Sequence, residues 1–265
     1  MTESKSPIPD MPALMAMLRD GTEHLIGMAR KVEFPWDPTI VDPPKLHNMY
    51  VRNISYAYTS KFASLSTSML YAIEHDAYLT YALCGRALLE ATATLYYYVH
   101  HRYKPFMEKG SLDANDFKQL IEIDDAHLRG SRFDWDSFFY RRYAILKEDA
   151  IAQLNDKKNK RKSPTISQTI MAQQVNVLTC IEKWAEETPE ILIVYNLFCD
   201  LVHPNIGSNF LVASTSEGKL YFSPFRGEPA GRSIFVQSFP MILSTTYKPF
   251  GDFLFALMGT MVKDV

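Results

Sequence analysis

Between Pro44 and Pro105 the chain contains no proline. Over this stretch apolar residues recur at helical rather than strand periodicity, so nothing in it forces a long helix to stop. Two helices are expected, at about 46–74 and 76–103, folded into a hairpin near Glu74-His75-Asp76. An earlier helix is expected from Asp10 to Arg30, where Met11, Leu14, Met15, Leu18, Leu25 and Met28 share one face. Between these helices the proline-rich stretch Phe34–Pro44 predicts an extended connector.

Residues 106–166 are more polar and irregular, with a short helix expected at Asp116–His127 and an aromatic cluster from Phe133 to Tyr140. They read as a cap or insert within one helical domain spanning 1–265. Helical periodicity returns at Ile166–Glu186. Thr188-Pro189-Glu190 then has the residue types of a helix start: a capping hydroxyl, a proline for the first position and an acid in the first turn. That helix should end near His203, before Pro204. Phe210–Thr215 and Lys219–Ser223, separated by Ser216-Glu217-Gly218, predict one small β-hairpin with glycine at the left-handed position. From Ser233 to Val262 the chain reads as helical, with kinks or breaks at Pro240 and Pro249. The expected fold class is mainly α.

Charge excludes some functions. The chain of 265 residues carries 28 basic and 30 acidic residues, a formal net charge of −2, which argues against a generally basic nucleic-acid coat or an acidic solvating tail. Hydrophobic residues make up 47%, enough for a substantial core. Cys84, Cys180 and Cys199 lack CxxC spacing, the N-terminal residues lack a signal-peptide core, and no apolar run is long enough to span a membrane. A cytoplasmic protein without membrane association is expected. Nucleotide-binding glycine loops, HExxH and GxSxG are absent, and neither a metal nor another cofactor is expected.

Two polar clusters stand out. Between Tyr78 and Val99 only Arg86 and Glu90 carry formal charge, and their spacing puts them on one face one turn apart. A pair in so apolar a helix is expected to be buried; it invites either a functional role or a structural one, fixing helix packing. The second cluster ends the helix after Pro189. Tyr195, Cys199 and His203 follow one another at four-residue steps, with Asn196 and Asp200 in the adjacent row and Asn205 beyond. His203 at the helix C-terminus, held by Asp200, is read either as an acid/base or anion-binding group or as a cap.

The segment Gly85-Arg86-Ala-Leu-Leu-Glu90-Ala, with Tyr195, Asp200 and His203-Pro204-Asn205 farther along, resembles an uncharacterised bacterial all-helical family with an Arg-x-x-x-Glu helix and a Tyr…His helix end. That family is in turn similar to HEPN-type proteins, helical domains that often dimerise and frequently act as metal-independent ribonucleases in toxin and phage-defence systems. The resemblance covers about residues 50–205 and implies a HEPN-like bundle of long antiparallel helices, a homo-oligomer, and RNA as partner. One departure is specific. HEPN proteins place an arginine shortly before the histidine on the same helix, whereas the corresponding positions here are Asn196, Leu197 and Phe198.

On this reading Arg86, Glu90, Asp200 and His203 form the catalytic set. Arg86 would replace the missing cation, and Tyr195, Asn196 and Asn205 would touch substrate. Residues 141–162 hold eight basic side chains against three acidic ones, so Lys157, Lys158, Lys160 and Arg161 are expected to attract the RNA backbone or else to form a solvated loop. Tyr96-Tyr97-Tyr98 and the Phe133–Tyr140 cluster could stack bases or belong to the core. The alternative function is a non-catalytic helical interaction or ligand-sensing module, in which the same residues form a buried structural network; its protein partner is not specified by the sequence.

Overall fold

The computed structural model describes residues 10–30, 37, 39–129, 175–217, 219–222 and 230–262. Helix α1 (Met11–Arg30) starts at Asp10, whose carboxylate accepts from the Ala13 N–H. Helix α2 (Pro43–Glu74) begins with prolines where no N–H is needed. It runs uninterrupted to a turn in which Asp76 has φ 54° and accepts a hydrogen bond from the Tyr78 hydroxyl at 2.6 Å. The expected hairpin is therefore present, with helix α3 (Tyr78–Tyr97) returning along α2.

Helix α3 is central. Besides α2 it packs against helices α6 (Val177–Ala185), α7 (Glu190–Val202) and α9 (Ala230–Met258). Leu88, Leu89, Ala93 and Leu95 have no exposed surface, as expected of a helix apolar on most sides. The expected straight continuation to residue 103 is modified. A π-helical turn (Tyr98–Tyr103) and the short helix α4 (Lys104–Met107) follow α3. The wider π turn shifts the face presented to the core and buries Tyr98, Val99, Arg102 and Tyr103.

Helix α5 (Ala114–Arg129) matches the short helix expected there. Its Phe117, Leu120 and Ile123 join the same apolar core as α2 and α3, while residues 130–166 of the expected cap, including Lys157, Lys158, Lys160, Arg161 and the Phe133–Tyr140 cluster, lie outside the described residues. Helix α6 is capped by Asn176, whose side chain accepts from the Leu178 N–H at 3.1 Å. Helix α7 starts where expected, but Thr188 contributes its carbonyl to the Ile191 N–H rather than a capping hydroxyl.

A one-turn helix, α8 (Ile206–Phe210), leads to the hairpin of β1 (Ala213–Ser216) and β2 (Lys219–Phe222), antiparallel with Ser216 opposite Lys219. Glu217 occupies a left-handed position at φ 51°. Helix α9 runs through both Pro240 and Pro249 without a break, because a long apolar helix packed against α2 and α3 gains more from tertiary packing than two missing N–H groups cost. Among the described residues no helix is long and apolar enough to cross a membrane.

A buried polar clasp joins distant parts of the chain. His47 Nδ1 lies 2.7 Å from Asp124 Oδ2, the Tyr103 hydroxyl donates to Asp124 Oδ1 at 2.6 Å, and His47 Nε2 lies 3.3 Å from the Thr260 carbonyl. The adjacent Asn48 side chain bonds both backbone groups of Val262. Helices α2 and α5, the π turn and the end of α9 are tied at one point.

Candidate functional site

Helices α3 and α7 meet at Gly85. With no side chain there, Phe198 places its ring against the α3 backbone, and a Cβ on Gly85 would come within 2.9 Å of Cδ1 and closer still to Cε1. This close approach sets Arg86, the next residue on α3, beside the Tyr195–Cys199 stripe of α7.

The Arg86 Nε donates to Glu90 Oε1 at 2.9 Å, and its guanidinium carbon stands 5.9 Å from the centre of the Tyr195 ring. Burial works against the guanidinium charge, but the hydrogen bond and charge of Glu90 outweigh it and raise the Arg86 pKa. The Tyr195 phenol is pushed up to about 12, first by burial and then by its hydrogen bond to Cys199 and by Glu90, with Arg86 pulling the other way. The site is therefore a chain of neighbours, Glu90 on Arg86, Arg86 on the Tyr195 ring and Tyr195 on Cys199.

The sequence suggested a buried Arg86/Glu90 pair. The side chains are in fact 26% and 30% exposed. The pair is reached by solvent.

At the end of α7 the predicted residues separate into two roles. Asn196, Asp200 and His203 are exposed. His203 is the C-cap, its backbone N–H bonded to the Cys199 carbonyl at 3.0 Å. Asp200 does not hold it: Asp200 Oδ1 accepts instead from the Asn205 amide at 3.4 Å. Asn205 is the N-cap of α8 in a reciprocal capping box with Ser208. Thus Arg86, Glu90 and Tyr195 are brought together with Cys199, and Asp200 with Asn205. Among the described residues no hydrogen bond or ion pair joins Arg86 to Asp200 or His203.

Tyr96 and Tyr98 are buried, so their rings serve the core rather than a base-stacking surface. Tyr97 stacks under Arg102, with the guanidinium carbon 5.5 Å from the ring centre. No group of three or more His, Cys, Asp or Glu is placed to hold a metal ion among the described residues.

Sequence reasoning missed Gly85 as the residue that makes the site. Its signal was available: a glycine inside a charge-poor helix, next to the one arginine. It also missed the His47–Asp124–Tyr103 clasp, for which no local signal exists. Comparison with protein-family models, curated proteins and solved structures gave no match.

Proposed function

We propose that the α3–α7 junction is directed at RNA phosphodiesters and that the protein is a HEPN-like, metal-independent ribonuclease of the toxin or defence-effector kind. The observation that carries the reading is the solvent-reached Arg86 guanidinium lying against the same α7 stripe that ends in the exposed His203. Cys199 and His203 are one helical turn apart, about 6 Å along the axis, so a flexible single strand can meet both the arginine and the imidazole.

In this mechanism His203 acts as the base that takes the proton of a ribose 2′-hydroxyl, whose oxygen attacks the adjacent phosphorus. Arg86 stabilises the added negative charge on the phosphoryl oxygens. The bond to the 5′-oxygen breaks, that oxygen is protonated by water or a neighbouring acid, and the products are a 2′,3′-cyclic phosphate and a 5′-hydroxyl. Glu90 orients Arg86. Lys157, Lys158, Lys160 and Arg161 would supply salt-dependent attraction for the backbone, and a second copy of the chain is proposed as the oligomeric partner.

A second reading, a non-catalytic interaction or ligand-sensing module, is favoured by the satisfaction of Arg86 by Glu90 and Tyr195 and by the pairing of Asp200 with Asn205 rather than His203. One experiment separates the two: incubation of purified protein with an RNA and with the DNA of the same sequence, followed by end-group analysis. The nuclease reading expects cleavage of RNA alone, with loss in His203→Ala and Arg86→Ala. Intact RNA, or cleavage unchanged in both variants, favours the second reading.

A further inference from the structure

A second concave site lies at the other end of the α3–α7 contact. A cavity of about 440 Å³ is floored by Tyr96, Trp184 and Phe253, whose ring centres are 5.3 to 5.8 Å apart. Its rim carries the carboxylates of Glu187, Glu190 and Asp252 and the hydroxyls of Thr188, Ser244 and Thr245.

Three features set it apart from a plain surface hollow. The Tyr96 side chain is 1% exposed, yet its hydroxyl has no hydrogen-bond partner of good geometry, although Glu187 is close enough to add to burial in raising its pKa. A buried polar group left in this condition is unusual and calls for a missing partner. One wall, His100, belongs to the π-helical turn, a distortion found frequently at functional sites. Finally, the lining includes three acids and no Lys or Arg, and one of the acids is neutralised from outside it. Asp252 is bonded to Lys248 at 2.6 Å, but Glu187 and Glu190 have no ion-pair partner among the described residues. Burial lowers the His100 pKa against the opposing charge of Glu187, with Lys104 and His101 acting in the same direction as burial.

An apolar floor under an anionic rim fits a ligand with a hydrocarbon body and a positive end. We propose that this cavity binds an aliphatic ammonium ion, its methylenes on the Phe253 and Trp184 rings and its N–H groups donated to Glu187 and to the Tyr96 oxygen. The proposal is independent of the RNA reading, since none of these residues belongs to the Arg86 site.

The test uses the full chain with n-butylammonium and putrescine as probes and with butyrate and butanol as controls, followed by calorimetry and by thermal unfolding. Saturable binding of the amines alone is expected. Glu187→Gln, at an exposed position, should weaken it about tenfold, the size of one hydrogen bond to a charged group. Tyr96→Phe removes only the unpartnered hydroxyl; without ligand it should unfold no earlier than wild type, while its amine affinity falls. Absence of amine binding, or binding equally strong in both variants, overturns the proposal. Equal binding of butanol and butylammonium also overturns it, since the rim charge would then play no part.

Discussion

Gly85 of α3 accepts the edge of the Phe198 ring of α7 at a distance that leaves no room for a methyl group. The contact lies one residue from Arg86 and one turn from Tyr195, so the packing of two helices and the geometry of the candidate site depend on the same missing side chain.

Gly85→Ala tests that dependence. Alanine should favour the helix by about 1 kcal/mol, whereas forcing a methyl into the ring costs about 1–3 kcal/mol. The ring is rigid and Phe198 is fully buried, so the second effect should win. Chemical denaturation should show a net loss, and the loss should shrink in a Phe198→Leu background. A more stable Gly85→Ala protein would contradict the close approach.

The Arg86–Glu90 pair is partly exposed, and its contribution to stability should be correspondingly small. Glu90→Gln should change unfolding free energy by less than about 0.5 kcal/mol, the usual size of an exposed pair at this helical spacing. On the ribonuclease reading the same variant should cut RNA cleavage sharply, because Arg86 loses the group that orients it. A large stability loss with no change in cleavage would assign the pair a structural role.

Asp124 and His47 are both without exposed surface. Replacing Asp124 with Ala leaves the His47 ring and the Tyr103 hydroxyl without their acceptor, and should cost about 3–5 kcal/mol. Combining Asp124→Ala with His47→Ala should cost less than the sum of the single changes, since the second removes a group already stranded. Additive losses in denaturant melts would show that the clasp is not one unit.

His127 makes stability depend on pH. Its ring stacks on Tyr98 with centres 3.6 Å apart, its Nε2 lies 2.8 Å from the Tyr58 hydroxyl, and its Nδ1 is closed off from solvent with no partner. Burial lowers its pKa from 6.5 to about 3. The folded state therefore binds fewer protons than the unfolded chain in that window. This contribution is present above pH 6.5 and is lost as pH falls toward 3. Unfolding measured across the window should show stability falling with acid. His127→Phe, which keeps the stack, should flatten that slope; an unchanged slope would locate the acid sensitivity elsewhere.

Asn205 distinguishes capping from substrate contact. Asn205→Ser retains an N-cap oxygen and should leave stability within a few tenths of a kcal/mol, whereas Asn205→Ala should cost about 1 kcal/mol. If RNA cleavage survives both changes, measured on folded protein, Asn205 acts only as a cap.

Much of the architecture was legible because it is written locally. Apolar spacing marked α1 and α2; the proline-free run marked the α2–α3 hairpin; Thr188–Glu190 and Pro204 bounded α7 to within two residues. These signals act through backbone geometry over a few residues. Other features escaped for a physical reason. Pro240 and Pro249 ordinarily interrupt a helix, and only the packing of α9 against α2 and α3 keeps it continuous. The π turn at Tyr98–Tyr103 carries no local signal of the kind that marks a helix start or stop, and it buries Tyr98, Val99, Arg102 and Tyr103.

The same division holds at the site. Residue order alone placed Arg86 with Glu90, and Tyr195 with Cys199 and His203, because positions four apart on a helix share a face. Which stripe would meet which was decided by tertiary structure: the Gly85–Phe198 approach joined Arg86 to Tyr195, and the capping demand of α8 took Asn205 and, through it, Asp200. His47 and Asp124, 77 positions apart, could not be paired from periodicity, since helix spacing says which face a residue occupies but not what that face will touch.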